Sequence, residues 1–306
     1  MKNILITLLG SVLLVNTGCL KDKGFDNNEY GTKDPASSAS GVAFNLTGLS
    51  SIEHSASVFY NTTPVYVDAS AVLLSLLNEA PLDHDVHLRI EPDLTILDQY
   101  NVDNGTSVPA FDSRFTLESQ DLVIPAGQKN TQLKISVVSD QLSYDTVYAM
   151  GYRIVSCDPD VTIASNMSTS LLFVSLRNDY EGLYKSNGYF YHPSAPRPLD
   201  REKYMYTISR FESAVELGDL GGSNYYALYI VDPITNDVTF SPYGGPTSLE
   251  TWTAGLPTSG PAYSPQWANS AQCNNTYDPA THSFKVRYGY LGGSGHRVTE
   301  EILTLE

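Results

Sequence analysis

Apolar and polar residues alternate in short runs over most of this chain. In "VHLRIEP" Val86, Leu88 and Ile90 alternate with His87, Arg89 and Glu91, the period of a strand with one buried face. "QLKISVV" does the same with Leu133, Ile135 and Val137. "LVIPAGQKNTQ" (Leu122–Gln132) places a Pro-Ala-Gly turn between two such runs, and "TVYAMGYRIVS" and "STSLLFVSLRN" supply further strands. No long segment shows convincing helical periodicity. Strands at this spacing, with turn signals between them, predict an antiparallel β-sandwich.

The pattern changes character after Asn178. Residues 181–306 hold 13 of the 21 tyrosines and both tryptophans. "KYMYTISRF", "NYYALYIV", "DVTF", "SFKVRYGY" and "RVTEEILTL" read as strands. "VDPITNDVTF" and "YDPATHSFKV" repeat one turn: Asp accepts a turn amide, Pro presets φ at the next position, and the strand restarts. Two such hairpins among aromatic strands predict a compact antiparallel barrel or sandwich. The fold class is therefore all-β in two domains, 41–178 and 179–306, preceded by a flexible tether over 19–40 and a signal over 1–18.

That signal is the apolar run "ILITLLGSVLLV" (Ile4–Val15), which follows a basic start and ends in small residues before "CLKDKG". It is short for a membrane span, which takes ~20 apolar residues. Thr17-Gly18-Cys19 resembles the lipobox of bacterial lipoproteins, although Asn16 stands where Leu is usual. The resemblance implies acylation at Cys19, cleavage before it, and attachment to the outer membrane through a lipid anchor. Lys21-Asp22 resembles the lysine-plus-acidic tag that sends Bacteroidetes lipoproteins to the cell surface.

Charge narrows the partners. Lys and Arg number 18 against 34 Asp and Glu, a net charge of -16, which opposes nucleic acid and docking on anionic lipid through the protein surface. Cys157 and Cys273 are too far apart for a metal cluster and too few for a disulfide framework, so two unpaired, mostly buried thiols are expected.

The succession "ILDQYN" (Ile96–Asn101), "LVIPAGQ", "VYAMGYRIVS" and "FVSLRNDYEG" (Phe173–Gly182) resembles the N-terminal, immunoglobulin-like sandwich domain of unknown function found in Bacteroidetes surface lipoproteins. The resemblance covers roughly residues 41–178. It implies a spacer at the cell surface within a polysaccharide-utilisation system, beside an outer-membrane transporter complex. The second half looks, more loosely, like the uncharacterised C-terminal β domains that follow this module.

Enzymatic signals are poor: the sequence has no HExxH, no Gly-x-Ser-x-Gly elbow, no phosphate loop and no family-18 hydrolase signature. No catalytic residue, metal or cofactor is expected. "DHDVH" could place Asp83, Asp85 and His87 on one strand face as a metal site, against the alternative of a solvated face. "DNNEYG" begins like a calcium loop but has Ser37 where the twelfth-position glutamate belongs. One stretch stands out. Pro242–Asn275 contains five prolines, four glycines, both tryptophans, two tyrosines and a single charge, Glu250. A long uncharged loop of this kind suits a neutral glycan, with aromatic faces on sugar C–H groups and amides on the hydroxyls. Trp252, Trp267, Tyr243 and Tyr263 are the candidate carbohydrate-binding residues; the alternative is that both tryptophans pin the loop as a core. The expected function is glycan binding by a non-enzymatic surface lipoprotein. An adhesive or structural lipoprotein with a protein partner, or an uncatalogued glycoside hydrolase, are the alternatives.

Overall fold

The computed structural model describes residues 41–45, 52–74, 81–244, 250–251, 270–293 and 295–306, with 69–74 and 250–251 described by backbone only. The first half contains strands β1 (Gly41–Phe44), β2 (Glu53–Phe59), β3 (Val65–Leu74) and β4 (Val86–Pro92), then helix α1 (Leu94–Asn104). Strands β5 (Phe115–Leu117), β6 (Asp121–Ile124), β7 (Asn130–Val137), β8 (Tyr148–Cys157), β9 (Thr162–Ile163) and β10 (Thr169–Arg177) follow. They form two five-stranded sheets, ordered β5-β7-β3-β1-β9 and β2-β10-β8-β4-β6. The alternation predicted from sequence holds: Val86, Ile90, Leu133, Ile135 and Val137 are fully buried in the core between the sheets, together with Val42, Phe44, Ile124 and Val174. Burial of these aliphatic faces is the main stabilising term, at about 25 cal/mol per Å2 of apolar surface.

Two expectations need correction. The sandwich is not wholly antiparallel: β10 pairs with β2 in parallel over Leu171–Arg177, and β1 pairs with β9 in parallel. Periodicity marks which face of a strand is buried, but carries no information about the direction of its neighbour. The second correction is α1, which forms across the "ILDQYN" stretch although its residues show no amphipathic pattern. Its ends explain it. Asp93 caps the N-terminus by accepting the Thr95 N–H at 3.1 Å, and Gly105 closes the C-terminus in the left-handed region at φ 63°. Leu97 buries against Ala149, Leu171 and Phe173, and Tyr100 meets Phe173 edge-on at 5.0 Å. Gly151 on β8 permits the approach, since a Cβ there would lie 2.5 Å from the Asp93 carbonyl oxygen.

The second half contains β11 (Gly182–Tyr191), β12 (Arg197–Ser209), β13 (Glu212–Glu216), β14 (Tyr226–Val231) and β15 (Val238–Pro242). It continues with the short β16 (Glu250–Thr251), then β17 (Thr276–Asp278), β18 (Ser283–Gly292) and β19 (Gly295–Leu305). The sheet runs β15-β14-β13-β12-β11-β19-β18, with β17 and β16 both on β18. It curls until β15 meets β17: Asp237 bridges Thr276, the Val238 N–H donates to the Asn275 carbonyl at 2.8 Å, and the Tyr277 N–H donates to that of Asn236 at 2.9 Å. Of the two predicted forms the domain takes the barrel, eight-stranded and nearly closed.

Both Asp-Pro hairpins form as expected. Asp232 Oδ1 accepts the Ile234 N–H at 2.8 Å and Asp278 Oδ1 accepts the Ala280 N–H at 3.0 Å. Each turn then restarts its strand through a left-handed residue, Asn236 at φ 61° and His282 at φ 46°. Tyr184, Met205, Val215, Tyr229, Phe284, Tyr288 and Leu303 fill the barrel.

Candidate functional site

An eight-stranded barrel has an interior just wide enough for side chains or one small ligand. Here side chains occupy it. Among the aromatic rings lie two buried charges, Lys203 and Glu301, each fully inaccessible. Lys203 Nζ donates to Glu301 Oε2 at 2.5 Å, and the Ser186 hydroxyl donates to the same oxygen at 2.5 Å. The Tyr288 and Tyr229 hydroxyls donate to Oε1 at 2.8 and 3.2 Å. Burial pushes the Lys203 ammonium down and the Glu301 carboxylate partly opposes it. Burial likewise pushes the Tyr288 and Tyr229 phenols well above their ordinary value. Every group in this network points at another member of it, so the chemistry available to a ligand lies on the outer wall.

The outer wall carries an array of tyrosines. On β12 the inward residues are Leu199, Lys203 and Met205, so Tyr204 and Tyr206 point outward, 40% and 48% exposed. Their rings lie 4.8 Å apart, and Tyr206 meets Tyr226 of β14 edge-on at 6.3 Å. The contact crosses β13, where Ala214 stands directly opposite Tyr206. Adjacent strands are about 4.8 Å apart, so two rings on alternate strands meet only over a small residue. Pairing continues past β15, where the Tyr243 N–H donates to the Tyr226 carbonyl at 3.1 Å, and Tyr243 is also exposed. Beside Tyr204, Leu183 of β11 occupies the opposing register position and is half-exposed.

Acidic groups border this face. Partial burial raises the Tyr204 phenol, the Glu181 carboxylate adds to the effect and the Arg177 guanidinium opposes it. Partial burial also raises the Tyr226 phenol, with the Glu216 carboxylate and Tyr206 adding to it. Carboxylates beside aromatic faces disfavour an anionic ligand and leave ring C–H contact and hydroxyl pairing available to a neutral one.

Of the residues expected to bind carbohydrate, Tyr243 is placed next to Tyr226, while Trp252, Tyr263 and Trp267 lie outside the described residues, as does Cys19. The far end of the predicted loop is built into the barrel wall. The Ser270 N–H donates to Glu300 Oε1 at 2.9 Å, the Arg287 N–H donates to Asn275 Oδ1 at 2.5 Å, and Cys273 is buried. Burial pushes the Cys273 thiol up to about 11, and Cys157 is half-buried; neither is in a disulfide, as expected. In the sequence Tyr204, Tyr206 and Tyr226 stand out only as strand residues. The signal was present in the Tyr-x-Tyr alternation of "KYMYTI", whose intervening Met205 points inward.

"DHDVH" does not place Asp83, Asp85 and His87 together on one strand face. The strand starts only at Val86, so Asp83 and Asp85 lie in the turn before it. Asp85 accepts the Ala126 N–H at 2.8 Å, His84 bridges Asp83 and Asp160 at 3.0 and 2.9 Å, and His87 pairs with Asp158. No group of three or more His, Cys, Asp or Glu among the described residues is placed to hold a metal. The calcium-like "DNNEYG" lies outside the described residues. No described helix is long and apolar enough to cross a membrane.

A family model described as a "-like, N-terminal domain" matches residues 42–161, the body of the sandwich. No curated protein matches the chain. Among solved structures, a protein of unknown function from Bacteroides ovatus is 15% identical with a TM-score of 0.49, covering 88% of this chain and 95% of its own. A multidomain protein including DUF1735, also from Bacteroides ovatus, is 14% identical with a TM-score of 0.41, covering 86% and 94% respectively. An auxiliary nutrient binding protein from Bacteroides thetaiotaomicron is 14% identical with a TM-score of 0.38, covering 82% and 90%.

Proposed function

We propose that this chain is a non-enzymatic lipoprotein, anchored through Cys19 on the outer surface of the outer membrane, that captures a neutral glycan beside an uptake transporter. Residues 41–178 serve as the spacer and 179–306 as the binding domain. The observation that carries the reading is the Tyr204–Tyr206–Tyr226 array: exposed Tyr204 and Tyr206 and half-buried Tyr226, with Tyr206 touching both others, on the outer wall of a barrel whose interior is already filled. Open aromatic platforms suit a polymer, which must bind at any point along its length and leave again. Little side-chain entropy is lost on binding, because the rings already support one another.

Tyr206 is the central ring. Tyr206→Ala weakens binding of neutral oligosaccharides by about 1–2 kcal/mol, roughly 10-fold in affinity, as measured by calorimetric titration. The melting temperature stays close to that of the unsubstituted protein, because the ring is exposed and the core contacts beneath it belong to Met205. A protein that binds no saccharide, yet uses the same tyrosines to hold a protein partner, is the adhesive alternative, and this titration separates the two.

The anchor has its own test. Cys19→Ala yields a chain that takes up no labelled fatty acid and leaves the membrane fraction. An unlabelled wild-type protein would remove the anchor from the reading. Retention by membranes rests on the acyl chains, at ~0.8 kcal/mol per buried CH2.

A further inference from the structure

We propose that the sandwich domain carries a second saccharide subsite, a cleft of about 390 Å3 rimmed by Tyr66, Asp68, Glu118 and Lys134 on the solvent face of β3, β7 and β5. Its volume lies at the lower end of the roughly 300–1,000 Å3 found for ligand pockets.

Strand register builds the rim in two rows. Tyr66 stands opposite Ser136, which in turn stands opposite Thr116. In the next row Asp68 stands opposite Lys134, and the Glu118 N–H donates to the Lys134 carbonyl at 3.0 Å. The intervening Val67, Leu133 and Ile135 are buried in the sandwich core, so both rows face solvent. A register shift between Asp68 and Ser70 marks a bulge in β3 beside the cleft. Bulges bend the strand and re-aim its side chains.

Opposite charges thus face one another across the ladder, where Cβ atoms of directly opposed residues are about 5 Å apart. Lys134 sits between Asp68 and Glu118, and all three side chains line the cleft. Tyr66, 69% exposed, supplies an aromatic face. A neutral hexose unit uses all four groups. Its C–H face lies on the Tyr66 ring, its hydroxyls donate to the Asp68 and Glu118 carboxylates, and a further oxygen accepts from Lys134 Nζ. Two carboxylates against one ammonium oppose a uronic or sulfated sugar.

The subsite is independent of the barrel tyrosines and shares with them only the choice of glycan as ligand. The test is calorimetric titration of the full chain with glucan and mannan hexasaccharides, with oligogalacturonate as the anionic probe. Wild type is compared with Tyr66→Ala, Asp68→Asn and Tyr206→Ala. The expected result is a neutral hexasaccharide whose binding falls about 10-fold, or by one site per chain, in both Tyr66→Ala and Asp68→Asn, and weak or absent binding of oligogalacturonate. Binding that survives both cleft variants unchanged but falls in Tyr206→Ala overturns the subsite and leaves the barrel platform standing. Binding that falls in both cleft variants but is unchanged in Tyr206→Ala supports the subsite and overturns the platform. A wild-type chain that binds neither hexasaccharide overturns both. Tyr66 is exposed, so an unchanged melting temperature in Tyr66→Ala confirms that the variant is folded.

Discussion

Lys203→Met destabilises the barrel by about 3–5 kcal/mol, read as a lower urea midpoint. The substitution keeps the length and most of the volume of the side chain but removes its charge. Glu301 is then a carboxylate fully buried with no cation to compensate it, although Ser186, Tyr229 and Tyr288 still donate to it. The double variant Lys203→Met/Glu301→Gln recovers much of the loss, since the amide keeps an acceptor for the hydroxyls and carries no charge. Recovery separates an electrostatic cost from a packing cost, because the added substitution fills no cavity. An unchanged midpoint in Lys203→Met would show instead that the Lys203–Glu301 pair adds nothing to the stability of the barrel.

Asn178→Ala lowers stability by about 2–4 kcal/mol, and it does so at the junction between the two halves. Asn178 is 2% exposed and immediately follows β10. Its Nδ2 shares two protons among the Ser209 carbonyl at 2.8 Å, the Ser213 hydroxyl at 2.9 Å and the Glu212 carbonyl at 3.0 Å. Its backbone N–H donates to the Thr207 hydroxyl at 2.9 Å, and its Oδ1 accepts the Tyr180 N–H at 3.1 Å. One side chain thus holds the linker against the irregular turn between β12 and β13. Arg210 in that turn reaches back over the Tyr60 ring at 4.0 Å. Alanine leaves the Tyr180 amide and two carbonyls without these partners. Asn178→Asp is the sharper control, since it keeps the acceptor but turns an oxygen toward three oxygens, and it is expected to be at least as damaging. Faster amide exchange at Tyr180 in both variants, measured by mass spectrometry, locates the effect at the junction rather than in either core.

Much of the fold was legible in the pattern of residues because one-sided burial is a local signal. The alternation through Val86, Leu88 and Ile90, and through Leu133, Ile135 and Val137, identified buried faces that the tertiary structure confirms. The two Asp-Pro hairpins were legible for a similar reason: the Asp acceptor and the restricted Pro act within four residues. Helix α1 escaped because its stability comes from its caps and from a single buried Leu97, neither of which produces a periodic stripe. Tryptophan content and loop length single out Pro242–Asn275 in the sequence, whereas tyrosines inside regular strands carry no local mark of which face they take.

What the sequence determined by itself is the set of properties that depend on neighbours in the chain: the strands and their buried faces, the turns, the acidic balance, and the change of composition after Asn178. Tertiary structure alone decided which strands became neighbours. Parallel β2 and β10 join residues more than a hundred positions apart. The barrel brings Lys203 onto Glu301, and Tyr206 onto Tyr226 across Ala214. The cleft on the sandwich likewise needs β3, β7 and β5 side by side. Alternation tells a residue which way to face. Only strand order and register, set by how the whole sheet packs and curls, tell it what it will face.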